Sequence, residues 1–151
     1  MNILLPVGSA FRNILVGKKF FAEVEERKLS MANNELPIKI SSTEAVTVIS
    51  FATVSISDSA AIDSAANKLD IFIIENHPKA IVFDFDKVKF FSSQALGLLL
   101  RVWRRMQGYG GRVAVSGIEP QLHRVFKITN LDKIFEFFPD SKSAVGALTV
   151  G

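Results

Sequence analysis

The spacing of apolar residues alternates between strand-like and helix-like patterns several times along the chain. Two short runs rich in β-branched residues, Pro37–Ser41 and Val46–Phe51, have the composition of neighbouring strands. Apolar residues then recur at helical spacing between Ile62 and Ile73. Proline cannot continue a helix, so Pro78 marks the end of this one. The first part of the pattern therefore predicts two strands followed by a helix.

The middle of the chain predicts a buried strand and an amphipathic helix. Ala80–Phe85 is a continuous apolar run bounded by charge, which is typical of a strand buried on both faces. The helix that follows has an apolar side and a basic side. The apolar side consists of Leu96, Leu99, Leu100, Trp103 and Met106. The basic side, which faces outward, consists of Arg101, Arg104, Arg105 and Gln107. We expect the apolar side to pack on the sheet.

The last third of the chain repeats the alternation. Arg112–Ser116 and Ile134–Phe138 predict strands, Pro120 begins a helix between them, and Ser141 caps a final helix. The inward residues of the Pro120 helix are expected to be Leu122, Val125, Phe126 and Ile128. The order β-β-α-β-α-β-α-β-α predicts an α/β fold. Its sheet is mixed and mostly parallel, with four to five strands and about four helices.

Composition narrows the chemistry that this fold can carry. The 151 residues are 48% hydrophobic, enough for one domain with a real core, and 13 Phe against one Trp and one Tyr favour internal packing. The absence of cysteine excludes disulfides, a thiol nucleophile and cysteine metal sites, and fits a reducing compartment. With only His77 and His123 as imidazoles, a histidine-rich metal centre is also excluded. We expect no cofactor and a cytoplasmic protein.

The net charge of +3 is unevenly placed. Residues 1–30 carry five basic and three acidic groups, or +2, which leaves 13 basic and 12 acidic groups, or +1, for the rest. A nearly neutral body matches a phosphate backbone poorly, so we expect no nucleic-acid partner. No apolar run approaches the ~20 residues that span a bilayer, so we expect no membrane insertion.

The beginning of the chain differs from the rest. The apolar residues between Met1 and Val16 are interrupted by Pro6, Gly8 and Arg12, and no basic stretch precedes them, so they make a weak secretion signal. We expect residues 1–36 to be an extension of the domain formed by residues 37–151. The extension is either poorly packed or lies upstream of a true start at Met31.

Two serines stand where the strand pattern gives way to the long amphipathic helix. Ser92 can act as N-cap, accepting hydrogen bonds from backbone N–H groups of the first turn. The same N–H groups and the helix dipole favour an anion, so a phosphate on Ser93 would meet a partly prepared site. A phosphate adds about −1.5 to −2 charges, enough to create or disrupt an interface. The alternative is that both serines only cap the helix.

An ordered set of motifs resembles the STAS domain of bacterial anti-sigma factor antagonists. That family reads as an apolar strand, Asp-Ser-Ser-Gly-Leu-Gly, an apolar helix, a Gly-Gly strand, a Pro-led helix with Arg-x-Phe, and Leu-x-x-Ile. The corresponding pieces here are Ser92-Ser93-Gln94-Ala95-Leu96-Gly97, Gly110-Gly111-Arg112-Val113-Ala114-Val115, Pro120 with Arg124-Val125-Phe126, and Leu131-Asp132-Lys133-Ile134. The resemblance covers about residues 37–150 and implies a STAS-like fold.

The resemblance implies that Ser93 is the serine that a partner kinase phosphorylates. It places Ser92 at the family's aspartate, Gln94 at the second serine or threonine, and Ala95 at the glycine, and these are departures from the motif. The family's Gly-x-Leu-Asp loop is also absent, because residues 52–55 read Ala-Thr-Val-Ser. The residues that the resemblance and the helix pattern assign to partner binding are Ser92, Ser93, Gln94, Ala95, Gly97 and Arg101.

Two kinds of protein partner fit this resemblance. An anti-sigma factor that is also a serine kinase would bind the unphosphorylated form and release it on phosphorylation. A scaffold, or a small subunit that holds the ATPase of an ABC transporter, would bind without phosphorylation, and the lost aspartate and Gln94 favour that version. The sequence leaves the partner, the upstream signal and the oligomeric state open.

Other candidate chemistry is weaker. Asp84 and Asp86 sit two apart at a strand end, where they either bind Mg²⁺ or are solvated carboxylates. Arg101 and its basic neighbours either meet an acidic partner or face solvent. His123 is expected at the surface. A small α/β enzyme working at the strand ends remains a third interpretation, but no nucleophile elbow, P-loop or dinucleotide motif is present, so we expect no catalysis.

Overall fold

The structure, a computed structural model, describes residues 35–43 and 45–150. It contains seven strands, four α-helices and one 3₁₀ turn in these residues. The strands are β1 (Ile38–Thr43), β2 (Val46–Phe51), β3 (Ser55–Ile56), β4 (Ala80–Asp84), β5 (Phe90–Phe91), β6 (Arg112–Ser116) and β7 (Glu136–Phe138). The helices are α1 (Ser59–Asn76), α2 (Ser93–Gln107), α3 (Pro120–Ile128) and α4 (Ser141–Val150), and the 3₁₀ turn is Leu131–Lys133. Residues 1–34 of the predicted extension lie outside the described part.

Five strands form a mixed sheet in the order β1-β2-β4-β6-β7. Only β1 runs antiparallel to its neighbour, and the other pairs are parallel. Parallel strands with helical connections are covered on both faces, which explains the continuous apolar run of β4. The predicted α/β fold, with a mostly parallel sheet of four to five strands and about four helices, is confirmed.

Helices cover the two faces of this sheet unequally. Ile81 and Phe83 point to the face packed by apolar residues of α1, α2 and α3. Val82 points to the other face, where it packs with Ala144 and Leu148 of α4. Of the ten phenylalanine rings in the described residues, six contact one another edge-on in the larger core, which confirms the prediction that phenylalanine serves internal packing. The core begins before the predicted domain boundary, because Leu36 is buried in it.

A second, two-stranded sheet positions the starts of α1 and α2. Its strands β3 and β5 run parallel, with Ser55 opposite Phe90 and Ile56 opposite Phe91. The pairing continues for one more bond, from the backbone N–H of Ser92 to the carbonyl oxygen of Ile56 at 2.9 Å. Each strand is followed within three residues by a helix, so the two helices begin side by side. The sequence pattern did not predict this pair.

Several local predictions need correction. Ile128 was expected to face inward but is 73% exposed at the end of α3. The cap of α4 is Asp140, whose carboxylate accepts from the backbone N–H of Ser143 at 2.7 Å, and Ser141 is already in the helix. The strand expected over Ile134–Phe138 begins at Glu136, since Ile134 is the C-cap of the 3₁₀ turn and is not in strand conformation.

The buried side of α2 is also rotated from the predicted one. Leu100 and Trp103 are only partly buried, at the flank of the core. Leu96, Leu99 and Met106 are buried as predicted, and the residues that complete the buried side are Ala95, Leu98 and Val102. The basic side is exposed, as predicted.

Candidate functional site

The start of α2 is built by the backbone of β5 and a serine cap. Ser92 has extended dihedral angles (φ −87°, ψ 168°), and its side-chain oxygen accepts from the backbone N–H of Ala95 at 3.3 Å. This bond satisfies one of the amides that a helix start leaves without an internal partner. Ser92 is therefore the N-cap, and its hydroxyl is engaged within the domain.

Ser93 is the first residue of α2, and its side chain is exposed. Since Ser92 provides the cap, the Ser93 hydroxyl has no structural task at the helix start. None of the hydrogen bonds among the described residues involves this hydroxyl. Ser92 therefore holds the helix start, whereas the Ser93 side chain is presented to solvent.

A second helix start lies beside this one. Asp58 is the N-cap of α1, and its carboxylate accepts from the backbone N–H of Ala61 at 3.1 Å. The β3–β5 pairing places this start next to Ser92 and Ser93. Two helix N-termini, each with a partial positive charge from the peptide dipoles, therefore flank Ser93.

Gln94 connects the two helix starts. Its side-chain amide donates to the carbonyl oxygen of Ser59 at 3.2 Å and to the Asp63 carboxylate at 3.1 Å. Both acceptors belong to the first turns of α1. The side chain that the resemblance places at the family's second hydroxyl is therefore used here to hold α2 against α1.

The other predicted site residues differ in accessibility. Ala95 is 4% exposed and packs in the core, so its side chain is not available to a partner. Gly97 lies one turn along α2 and is exposed, and a methyl group built on its Cα would have no neighbour within 4 Å. The glycine is thus not required by packing inside the domain.

Arg101 is occupied within the chain. Its Nε donates to the Asp70 carboxylate at 2.9 Å, and its Nη2 donates to Asp70 and, at 3.1 Å, to the Asn67 side chain. Arg105 donates to the other Asp70 oxygen at 3.3 Å. The sequence pattern does not predict this ion-pair role of Asp70. A carboxylate placed directly after buried Leu69, on the inward row of α1, was the available signal for an ion pair.

A groove of about 200 Å³ lies between α1 and α2 and opens beside Gln94. The residues that line it come from both helices and include both apolar and charged side chains. They are Ile62, Asp63 and Ala66 of α1 and Gln94, Gly97, Leu98 and Arg101 of α2. The groove brings three of the predicted partner-binding residues together on one surface.

The β3–β5 pair adds an apolar surface at the start of α2. Val54 is 60% and Phe90 is 53% exposed, and the backbone N–H of Phe90 donates to the carbonyl oxygen of Val54 at 3.1 Å. Next to Phe90, the Lys89 ammonium pairs with Glu119, which raises the pKa of Lys89. Two exposed apolar residues are thus joined through their backbones, one of them on the strand that leads to Ser93.

The strand-end carboxylates have local partners. Asp84 accepts from the backbone N–H of Asp86 at 3.0 Å and from the Ser50 hydroxyl at 3.5 Å. The described residues contain no group of three or more acidic, histidine or cysteine side chains suited to a metal ion. His123 is half-buried, with its ring 4.2 Å from the ring of Phe137. No helix in the described part has the length and apolar character needed to span a bilayer.

Fold and site together define a class: a small α/β domain with a mixed sheet that presents an exposed serine at a helix start. The family model for the STAS domain matches residues 40–144, more than half of the chain. The chain belongs to the STAS domain family. A relative, the anti-sigma F factor antagonist of Paenibacillus polymyxa, is 26% identical over 88 residues, which make up 58% of this chain and 75% of the relative.

Solved structures agree with the family assignment. An anti-sigma factor antagonist from Mycobacterium paratuberculosis is similar with a TM-score of 0.66 and 22% identity, over 78% of this chain and 97% of that one. The Bacillus cell fate determinant SpoIIAA in its phosphorylated form has a TM-score of 0.60 and 18% identity, over 74% of this chain and 99% of its own. At these identities the likeness shows that the fold is shared.

Proposed function

We propose that this chain is a regulatory protein-binding module of the anti-sigma factor antagonist type, switched by phosphorylation of Ser93 by a partner serine kinase. The observation that carries the proposal is that the two serines have different structural roles. Ser92 caps α2, and Ser93 presents an exposed hydroxyl that no other described residue bonds. The family membership and the phosphorylated form known for SpoIIAA support the same interpretation.

The electrostatics of the helix start explain how a phosphate would be tolerated. A phosphate on Ser93 would carry about −1.5 to −2 charges beside the first-turn amides of α2. Those partial positive charges stabilise it while it faces water. The folded domain therefore accepts the modification with little cost.

A bound partner would not tolerate the same phosphate. Covering Ser93 with a protein surface would remove water from a group of nearly two charges, and burial of an unpaired charge is strongly unfavourable. We expect the unphosphorylated form to bind an anti-sigma factor kinase and phosphorylation to break that complex.

In vitro phosphorylation tests the switch. Each serine kinase of the GHKL type encoded in the source genome is purified and incubated with the chain and labelled ATP. We expect one kinase to label the wild type and Ser59→Ala but not Ser93→Ala. Ser59 is the matched control, because it is the exposed first residue of α1 just as Ser93 is of α2. Label that persists on Ser93→Ala, or no label on the wild type with any kinase, contradicts the switch.

A second candidate keeps the fold and omits phosphorylation. Here the chain is a scaffold, or a small subunit that holds the ATPase of an ABC transporter. The bonds of Gln94 to Ser59 and Asp63 favour it, since they hold the helix starts in one arrangement. Purification of the native complex from source cells separates the candidates. Recovery of a transporter ATPase in place of a GHKL-type kinase supports the scaffold.

A further inference from the structure

The groove between α1 and α2 combines an apolar floor with a charged rim. Ile62, Ala66 and Leu98 are each less than 5% exposed and form its bottom. Asp63 lies on one side, and Gly97 contributes no side chain, which leaves the space above the floor open. The groove therefore suits a side chain that is apolar along its stem and charged at its tip.

The charges at the rim are not equally available. The Arg101 guanidinium already bonds the Asp70 carboxylate and the Asn67 side chain. The Asp63 carboxylate is exposed, and among the described residues its only side-chain partner is the neutral amide of Gln94. The groove thus offers one carboxylate that no cation of the described residues contacts.

We propose that this groove receives a lysine or arginine side chain of the partner protein, with its cationic group on Asp63 and its aliphatic stem on the floor. This inference rests on the proposed protein-binding function and names the chemistry that the partner supplies. Long basic side chains lie along apolar surfaces with the charged end in contact with polar groups. A charged hydrogen bond to a carboxylate at the rim gives specificity and orientation.

Gly97 is the residue that keeps the groove open. A side chain at this position meets nothing inside the domain, so it projects into the space where the partner side chain would lie. Glycine also disfavours the helix relative to alanine, so its presence in α2 has a cost to stability that packing does not explain. Room for an incoming side chain accounts for it.

A small probe tests the groove without any partner. The ¹⁵N-labelled chain is titrated with n-butylguanidinium and, as an uncharged control, n-butanol, and amide shifts are followed by NMR. We expect saturable shifts with n-butylguanidinium, grouped at residues 62–66 and 94–101, and at most one-tenth of them with n-butanol. Shifts scattered over exposed carboxylates elsewhere, or no saturable shift, overturn the proposal.

Matched variants locate the probe. Asp63→Asn keeps the size of the side chain and an oxygen for Gln94 but removes the charge, and we expect it to weaken binding about tenfold. Gly97→Leu fills the groove and should abolish binding. Asp58→Asn, which preserves the α1 cap, and Gly146→Leu, at an open position of α4, should bind as the wild type does. Circular dichroism confirms that each variant is folded, and equal binding by Asp63→Asn contradicts the proposal.

The partner provides the second readout. With the kinase found by phosphorylation, Asp63→Asn should raise the dissociation constant about tenfold, and Gly97→Leu more, while Gly146→Leu leaves it unchanged. Kinase binding that is the same for all variants overturns the groove proposal although the proposed function stands. If no kinase binds the chain, the proposed function fails, and the probe titration still decides whether the groove takes a cation.

Discussion

The Nε of Arg101 lies 2.9 Å from Oδ2 of Asp70, and this contact joins α2 to α1 beside the groove. Asp70 is the less exposed partner, with 9% of its side chain accessible against 46% for Arg101. The carboxylate also accepts from Arg105, so it balances two cations at once. A single acidic residue of α1 therefore binds two arginines of α2.

Substitution of Asp70 should loosen this helix pair. Asp70→Ala removes the acceptor of three hydrogen bonds, but both arginines are half-exposed and regain water, so we expect the free energy of unfolding to fall by about 1–2 kcal/mol. Urea denaturation measures the change. Arg104→Ala, at an exposed position of α2 without an ion pair among the described residues, should change stability by less than about 0.5 kcal/mol. Equal effects of the two substitutions would contradict this assignment.

Alanine substitutions of the two serines should differ in their effect on the free energy of unfolding. Ser92→Ala removes the cap of α2 and is expected to lower the free energy of unfolding by about 1 kcal/mol. Ser93→Ala removes an exposed hydroxyl and should stay within about 0.5 kcal/mol of the wild type. Thermal or urea unfolding of the two variants side by side is the measurement. A larger loss for Ser93→Ala would mean that Ser93 holds the helix start.

Alanine at either open helix glycine should stabilise the fold. Gly97→Ala and Gly146→Ala each add a methyl group that meets no atom within 4 Å and each remove the entropic penalty of glycine in a helix. We expect a gain of about 0.5–1 kcal/mol in each case, seen as a higher urea midpoint. A loss of stability at position 97 alone would show that the groove closes around the glycine.

A buried hydroxyl at the end of β6 gives a further prediction. The Ser116 side chain is fully buried, and its oxygen has no hydrogen-bond partner among the described residues. Ser116→Ala should therefore leave the free energy of unfolding unchanged or raise it by about 1 kcal/mol, since an unsatisfied polar group is removed. Thr47→Val is the contrast, because the buried Thr47 hydroxyl bonds Ser42 at 3.0 Å and its loss should cost about 1 kcal/mol. Equal destabilisation by both would indicate a water bound at Ser116.

The regular part of the fold could be predicted because its pattern is local. Val46–Phe51 and Arg112–Ser116 have the predicted bounds, since apolar strands flanked by polar residues mark their own ends. Pro120 begins α3 as expected from its missing N–H. The family assignment rested on the order of several motifs and is confirmed by the match over residues 40–144.

The features that shape the site could not be predicted because they depend on distant residues. Strands β3 and β5 have two residues each, too short for any periodicity, and exist only through their pairing. The role of Arg101 depends on Asp70, 31 residues earlier. Ile128 has the spacing of an inward residue, but it lies at the last position of α3 and faces water.

The short β3–β5 pair makes the starts of α1 and α2 one cooperative opening unit. The amide of Ser92 is held by the carbonyl of Ile56, so exchange of that proton with solvent requires strand separation at both helix starts. Fraying that begins at Asp58 therefore also loosens the backbone at Ser92 and Ser93. The backbone conformation that presents the exposed Ser93 hydroxyl and the persistence of the first turn of α1 therefore depend on the same two-residue contact.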